Sequence, residues 1–334
     1  MRAGRCLIGV VIAVLSVSAP APARAQGPDD DLAKMVDDLR RAGKNVEALA
    51  LAQHGLHLAE QQLGSEHVSV GHRARILAEV HEKAGRDGDA VPLYRRSISI
   101  LENALGAEHV QLAEPLRRLS NLVRRQGQRE AAVELQRREL AILERAHGPD
   151  HAAVSDSLST LGEYLRIEGG HAEAVPLHER ALAIREATGG PDQAKVAVSL
   201  NNLALALAAQ GRRGEAEAHL RRALVIIEAG PGEASRDLGA VLDNLADVVQ
   251  ARGRVQDAES LRRRALTALE KTLGPTHLAI AAELNKLAEL LRMHGRPSEA
   301  LPLRTCAGNS RKGAGDEPRR RGGLAQQPRP DFGR

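Results

Sequence analysis

Histidine is the residue type here with the clearest capacity for chemistry, because several of its thirteen copies share one spacing. His67, His109 and His151 follow one another at intervals of 42 residues, and His277 falls in the same register. Imidazoles hold a metal only where two or more reach one ion. At this interval each histidine belongs to its own turn, and Gln193 and Ser235 fill the same place elsewhere. The pattern therefore predicts a polar residue at a helix start, with no metal site. Serines and acids are plentiful, but no nucleophile elbow, zinc-protease helix motif or Gly-rich phosphate loop accompanies them. No catalytic residue and no cofactor is expected, and what remains is the chemistry of a surface.

The elements that would carry such a surface repeat strictly every 42 residues. One glycine recurs at Gly43, Gly85, Gly127, Gly169, Gly211, Gly253 and Gly295, and an alanine five residues later at Ala48, Ala90, Ala132, Ala174, Ala216, Ala258 and Ala300. A second glycine recurs at Gly64, Gly106, Gly148, Gly190, Gly232 and Gly274, and a leucine at Leu77, Leu119, Leu161, Leu203, Leu245 and Leu287. The most regular copy is Ala197 to Gly230. In its first half Leu200, Leu203 and Leu207 fall three and four apart, as do Ala216, Leu220, Ala223, Leu224 and Ile227 in its second. That is one face of a 3.6-residue period, twice over, predicting a helix A and a helix B that meet at Gly211. The first glycine turns the chain with positive φ, the alanine lets helix B approach helix A, and the second glycine ends helix B.

Composition agrees. The chain of 334 residues is 43% hydrophobic but 1% aromatic, so its core is built from Leu, Ala, Ile and Val. Residues 1–25 read as a secretory signal peptide: Arg2 and Arg5, the apolar run Cys6 to Val17, and Ala23-Arg24-Ala25 before a cleavage site at Gln26. The run is too short to span a bilayer, and no later stretch is long enough, so no membrane span is expected. Removing Cys6 leaves Cys306 alone and no intramolecular disulfide. The leader carries three arginines and no acid. Residues 304–334 carry eight Lys or Arg against three acids, which leaves residues 26–303 at −4 from the chain's +4. Nucleic-acid binding by the body is not indicated. The Arg-, Gly- and Pro-rich composition of 304–334 predicts a disordered basic tail, either genuine or the product of a reading-frame shift that cuts the last repeat short.

The spacing Leu200, Leu203, Ala204, Gly211, Ala216, Ala223 resembles the tetratricopeptide repeat, in the 42-residue variant of kinesin light chains and many bacterial proteins. The resemblance covers residues 30–303: a half repeat, five whole ones at 63–104, 105–146, 147–188, 189–230 and 231–272, and a sixth that breaks off. It departs from the family at positions that are usually tyrosine, which hold His81, Val123, Leu165, Leu207, Val249 and Leu291. The resemblance implies an all-α, right-handed superhelical solenoid whose A helices line a groove, with positions 2, 5, 9, 12 and 13 of each repeat facing it, Ala197 being position 1 of its own. Arg75 then faces the groove in repeat one. Arg117, Arg124, Arg125 and Arg166 form a basic pocket around Asn121, followed by an apolar floor in repeat four and an acidic patch at Asp243 and Asp247. By the same resemblance Asn201 and Asn285 clamp peptide amides and the arginines pair with carboxylates.

The expected function is that of a non-catalytic protein-interaction scaffold, exported to the periplasm or secreted, which binds segments of a protein or peptide partner with acidic side chains. Two alternatives stand beside it. Arrays of this repeat in bacteria often precede a catalytic domain such as a caspase-like peptidase, which would make this chain the sensor part of a truncated enzyme. Self-association through the uncapped last repeat is the other.

Overall fold

The structure, a computed structural model, describes residues 28–188, 193–230 and 236–303. The leader, both cysteines, Gly190, Gly232, Ser235 and the basic tail lie outside them. Among the described residues all regular structure is helical. In chain order the helices are α1 (Pro28–Arg41) and α2 (Asn45–Leu63), α3 (Val68–Lys83) and α4 (Asp87–Leu105), then α5 (Ala113–Arg125) and α6 (Arg129–His147). They continue with α7 (Ala152–Ile167) and α8 (His171–Ala187), α9 (Gln193–Ala209) and α10 (Arg213–Ala229), α11 (Arg236–Ala251) and α12 (Val255–Leu273), and α13 (Leu278–Met293), after which residues 297–303 are again helical. Odd-numbered helices are the A helices and even-numbered ones the B helices. The chain divides after Glu168 into an N-terminal and a C-terminal body. Within each, every helix packs against its neighbours in the chain, as a stack of helix pairs.

The recurring residues do what their types predict. The alanine of helix B is wholly buried at Ala48, Ala90, Ala132, Ala174, Ala216 and Ala258, where a larger side chain would push helix A away. The repeated leucines are 1–6% exposed, each burial contributing roughly 1.5–3 kcal/mol. Gly211 ends α9 at φ +81°, with its own N–H bonded to Ala208 O and the N–H of Arg212 bonded to Leu207 O at 2.9 Å. Only a residue tolerating the left-handed region closes the helix this way. A Cβ at Gly211 would meet nothing within 4 Å. Gly211→Ala is thus expected to cost about 1–2 kcal/mol from backbone strain alone, read by urea denaturation, while leaving the packing unchanged.

The histidines are helix caps. His67, His109, His151 and His277 each accept through Nδ1 from the backbone N–H two residues on, Ser69, Gln111, Ala153 and Ala279, at 3.1–3.3 Å. Among the described residues, repeat two alone begins its A helix with a 3-10 turn, Val110–Leu112.

The B helices are tied together by a ladder of ion pairs in the same 42-residue register. Arg96 pairs with Glu60 at 2.6 Å and Arg138 with Glu102 in the N-terminal body; Arg222 pairs with Glu186 at 2.7 Å and Arg264 with Glu228 in the C-terminal one. Each pair joins successive B helices across 36 residues of chain, which gives these four B-helix arginines a structural role.

Candidate functional site

From α3 on, each A helix is buried through its middle except along one stripe, whereas α1 buries only Leu32 and Val36. In α5 the stripe is Glu114, Arg117, Arg118, Asn121, Arg124 and Arg125; in α11 it is Ala240, Asp243, Asn244, Asp247, Gln250 and Ala251. These are positions 2, 5, 6, 9, 12 and 13 of the repeat. All ten residues expected to face the groove lie on such a stripe: Arg75 on α3; Arg117, Asn121, Arg124 and Arg125 on α5; Arg166 on α7; Asn201 on α9; Asp243 and Asp247 on α11; Asn285 on α13. Six fall in the N-terminal body and four in the C-terminal body. Position 6 was not expected, and it does much of the bonding between neighbouring A helices.

The charges on these stripes are largely compensated from within, which corrects the expectation of a basic pocket. Arg75 pairs with Glu79 one turn on. Arg117 and Arg118 share Glu114, and Arg166 takes Glu163 through two bonds of 2.7 and 2.8 Å. Arg125 reaches Asp87 on α4 at 3.0 and 3.1 Å. Burial alone would push the Glu114 carboxyl up, but the hydrogen bonds and charges of Arg117 and Arg118 outweigh it and hold the group below its usual range. Burial wins at Glu79, which is pushed up despite Arg75.

Arg124 stands apart. It makes no ion pair among the described residues, and its Nε is buried without a hydrogen-bond partner. Its guanidinium instead lies over the Tyr164 ring, 5.1 Å from the centroid. The Tyr164 hydroxyl donates to Asn121 Oδ1 at 2.9 Å, while Asn121 Nδ2 donates to Arg117 O at 3.0 Å. Ring, amide and helix thus hold one uncompensated cation on the open stripe of α5.

Behind that stripe lies a buried polar network. Ser120 donates to Gln136 Oε1 at 3.0 Å, and Gln136 donates to Ser157 Oγ at 3.0 Å and to Glu139, whose carboxylate also accepts from Ser157 at 2.8 Å. Glu139 is 3% exposed. Its burial pushes the carboxyl up to about 7 against the hydrogen bonds and the more distant Arg117.

In the C-terminal body the expected acidic patch is likewise compensated. Arg262 comes from α12, 2% exposed, and its guanidinium donates to Asp243 at 3.0 Å, Gln250 at 3.2 Å, Glu283 at 3.1 Å and to Asp247. Lys286 of α13 donates to both oxygens of Asp243 at 2.7 Å and to Asp247 at 3.4 Å. Asn244 donates to Asn201 Oδ1 at 2.8 Å, and Asn285 Nδ2 is engaged with Ala281 O at 2.8 Å. Asp247, Gln250, Ala251, Asn285, Lys286 and Glu289, with Arg262 behind them, line a recess of about 550 Å³. Among the described residues no group of three or more His, Cys, Asp or Glu is placed to hold a metal ion. No helix there is long and apolar enough to cross a membrane.

Comparison with known proteins carries the architecture to a family. Comparison with curated proteins gives no match. Among solved structures, the putative kinesin light chain of Podosopora anserina with nearly identical TPR-like repeats is 25% identical; 64% of this chain is covered and all of that one, at a TM-score of 0.54. The Signal Transduction ATPase with Numerous Domains from Pyrococcus horikoshii, described with a tetratricopeptide repeat sensor, is 13% identical at a TM-score of 0.65, covering 85% of this chain and 41% of that one. A tetratricopeptide repeat protein from Parabacteroides merdae is 15% identical at 0.58, covering 84% and 93%. These last two share the fold. The profile described as tetratricopeptide repeat matches residues 32–103, 73–145, 111–187, 154–229 and 237–307, nearly the whole length of the helical stack, and the chain belongs to the tetratricopeptide repeat family.

Proposed function

We propose that the chain is an exported, non-catalytic scaffold that holds a partner protein by an extended segment laid along the A-helix stripes, with an acidic side chain of that segment paired to Arg124. Tetratricopeptide repeats imply a protein partner. The leader-like composition of residues 1–25 supports export, and the secreted or periplasmic compartment is where the partner is sought. Arg124 is the observation that supports the carboxylate. The other stripe arginines of the N-terminal body already have acids of their own. Arg124 keeps its charge uncompensated, half-buried and oriented by Tyr164, so an incoming carboxylate displaces no partner and meets a guanidinium whose rotamer is already set.

The test uses the chain without residues 1–25 and a fluorescein-labelled octapeptide alternating Glu and Ser, followed by anisotropy. Arg124→Ala is expected to weaken binding about tenfold or more, as loss of a charge-assisted hydrogen bond does. Arg117→Ala, whose guanidinium is already taken by Glu114, is expected to change it less than about twofold. Equal binding by wild type and Arg124→Ala sinks the assignment.

A further inference from the structure

The side chain four residues after the repeated alanine of helix B is Tyr94, Gln136, His178, Leu220 or Arg262, five chemistries at one buried position, none more than 2% exposed. The position points between its own A helix and the next. Tyr94 donates to Glu82 of α3 at 2.8 Å; Gln136 bonds Ser120 of α5 and Ser157 of α7; Arg262 bonds Asp243, Asp247 and Gln250 of α11 and Glu283 of α13. Those α11 residues are positions 5, 9 and 12, the ones that form the open stripe.

Between repeats four and five, front and back differ together. Where Arg262 stands behind, the stripe in front carries Asp243, Asp247 and Gln250. Where Leu220 stands behind, the same three places are Asn201, Leu205 and Ala208, without a charge, and the place of Glu283 is taken by Val241. Leu220 and Val241 are both buried.

We infer that this buried helix-B position is a specificity determinant acting from behind the stripe: in the C-terminal body Arg262 balances the charge of the recess, so that it accepts the uncharged main chain of a partner segment and turns away a basic side chain. The inference rests on the groove reading above and names the ligand chemistry of its C-terminal half. The charges of the cluster are Asp243 and Asp247 on α11, Arg262 on α12, and Glu283 and Lys286 on α13; Glu289 at the rim is paired with Arg292. Three carboxyls meet two cations. Burial and the neighbouring Asp243 push Glu283 up to about 7 in spite of Arg262, so at about pH 6 the innermost carboxyl keeps its proton and the cluster is neutral. Lys286 already occupies both oxygens of Asp243, so a guest cation has no unshared acid to take. Arg262 is a positioning residue here; it is buried and acts through Asp247 and Gln250.

The vehicle for the test is Arg262→Leu with Glu283→Val, which writes the Leu220/Val241 pair of repeat four into repeat five and leaves Asp243, Asp247 and Lys286 with one surplus negative charge. The probe is fluorescein-labelled octalysine at about pH 6, below the Glu283 value, and at about 50 mM salt, where screening is weak. The double variant is expected to bind it about five- to tenfold more tightly than wild type, as one uncompensated half-buried charge allows. Adding Asp247→Asn is expected to erase the gain. Arg262→Gln, the residue type of repeat two, is the second variant should the first fail to fold, with the same direction expected. Arg262→Lys, which keeps the charge, is expected to match wild type. Unchanged octalysine affinity in both charge-removing variants, or a gain that survives Asp247→Asn, overturns the inference. The acidic probe at Arg124 is read on the other body with other variants, so either proposal can fail while the other stands.

Discussion

Glu139→Gln is expected to make the protein more stable at pH 8 and to leave it nearly unchanged at pH 4. The sign follows from proton linkage. In the unfolded chain this carboxyl ionises near its ordinary 4.5; in the folded protein burial holds it up to about 7. Between those values the unfolded state has given up a proton that the folded state still binds, so rising pH favours unfolding across that window. The shift corresponds to about 3 kcal/mol, fully present as a penalty above pH 8 and absent below pH 4. Glutamine keeps the oxygen that accepts from Gln136 and Ser157 and never ionises. At pH 8 the gain is expected at ~2–3 kcal/mol, less whatever the new amide loses by lacking an acceptor of its own. The repeat supplies a second version: Ala181, Ala223 and Ala265 fill this place in repeats three to five. Glu139→Ala removes the same buried carboxyl but opens a cavity, so its gain at pH 8 is expected to be smaller. Urea denaturation at pH 4 and pH 8, with hydrogen exchange across α5–α7 to localise the effect, measures both. A substitution whose effect is the same at the two pH values contradicts the raised carboxyl.

Much of the framework is legible in the sequence because it is written several times. The glycines, alanines and leucines announce helix boundaries, close approaches and core faces through simple periodicity. Histidine caps are legible for the same reason. The stripe positions are legible once helix A is aligned, although position 6 escapes: its side chains, Arg118, Asn244 and Lys286, are identified by their reach to the neighbouring A helix, 43 residues back for Asn244 and Lys286. Net charge on the stripe is the quantity that single positions misrepresent. Four arginines look like a basic pocket until Glu114, Glu163 and Asp87 are counted with three of them, and those acids lie three residues away on the helix or across on α4. Two aspartates look like an acidic patch until Arg262 arrives from behind. That arrival is the least legible feature, because a helix-B position that holds Ala52, Tyr94, Gln136, His178 and Leu220 in the other repeats gives no reason to expect an arginine to be buried there rather than exposed beside Arg263 and Arg264.

Arg262→Leu alone is the substitution expected to harm the C-terminal body most. Arg262 is the one cation that touches Asp243, Asp247 and Glu283 together, and removing it leaves Glu283, 3% exposed, beside Asp243 with no cation in contact. Breaking a buried ion cluster by taking one partner costs about 3–5 kcal/mol, because the abandoned charges stay desolvated. Two effects reduce the loss here: Glu283, already pushed up to about 7, takes a proton more readily once Arg262 is gone, and Lys286 retains Asp243 at 2.7 Å. About 3 kcal/mol is therefore expected at pH 8 and less at pH 5, where the acids share more protons. Glu283→Val in the same chain is expected to recover most of the loss, since a buried polar cluster replaced on both sides by packed apolar groups is often neutral. The comparison of single and double variants separates two accounts of the cluster. If it exists for stability, the double variant unfolds more easily than wild type at every pH. If it exists to set what the recess presents, the double variant is as stable as wild type and differs from it in which peptide it admits. The neighbouring repeat already favours the second account, for Leu220 and Val241 pack in the same fold at the same two positions without a charge.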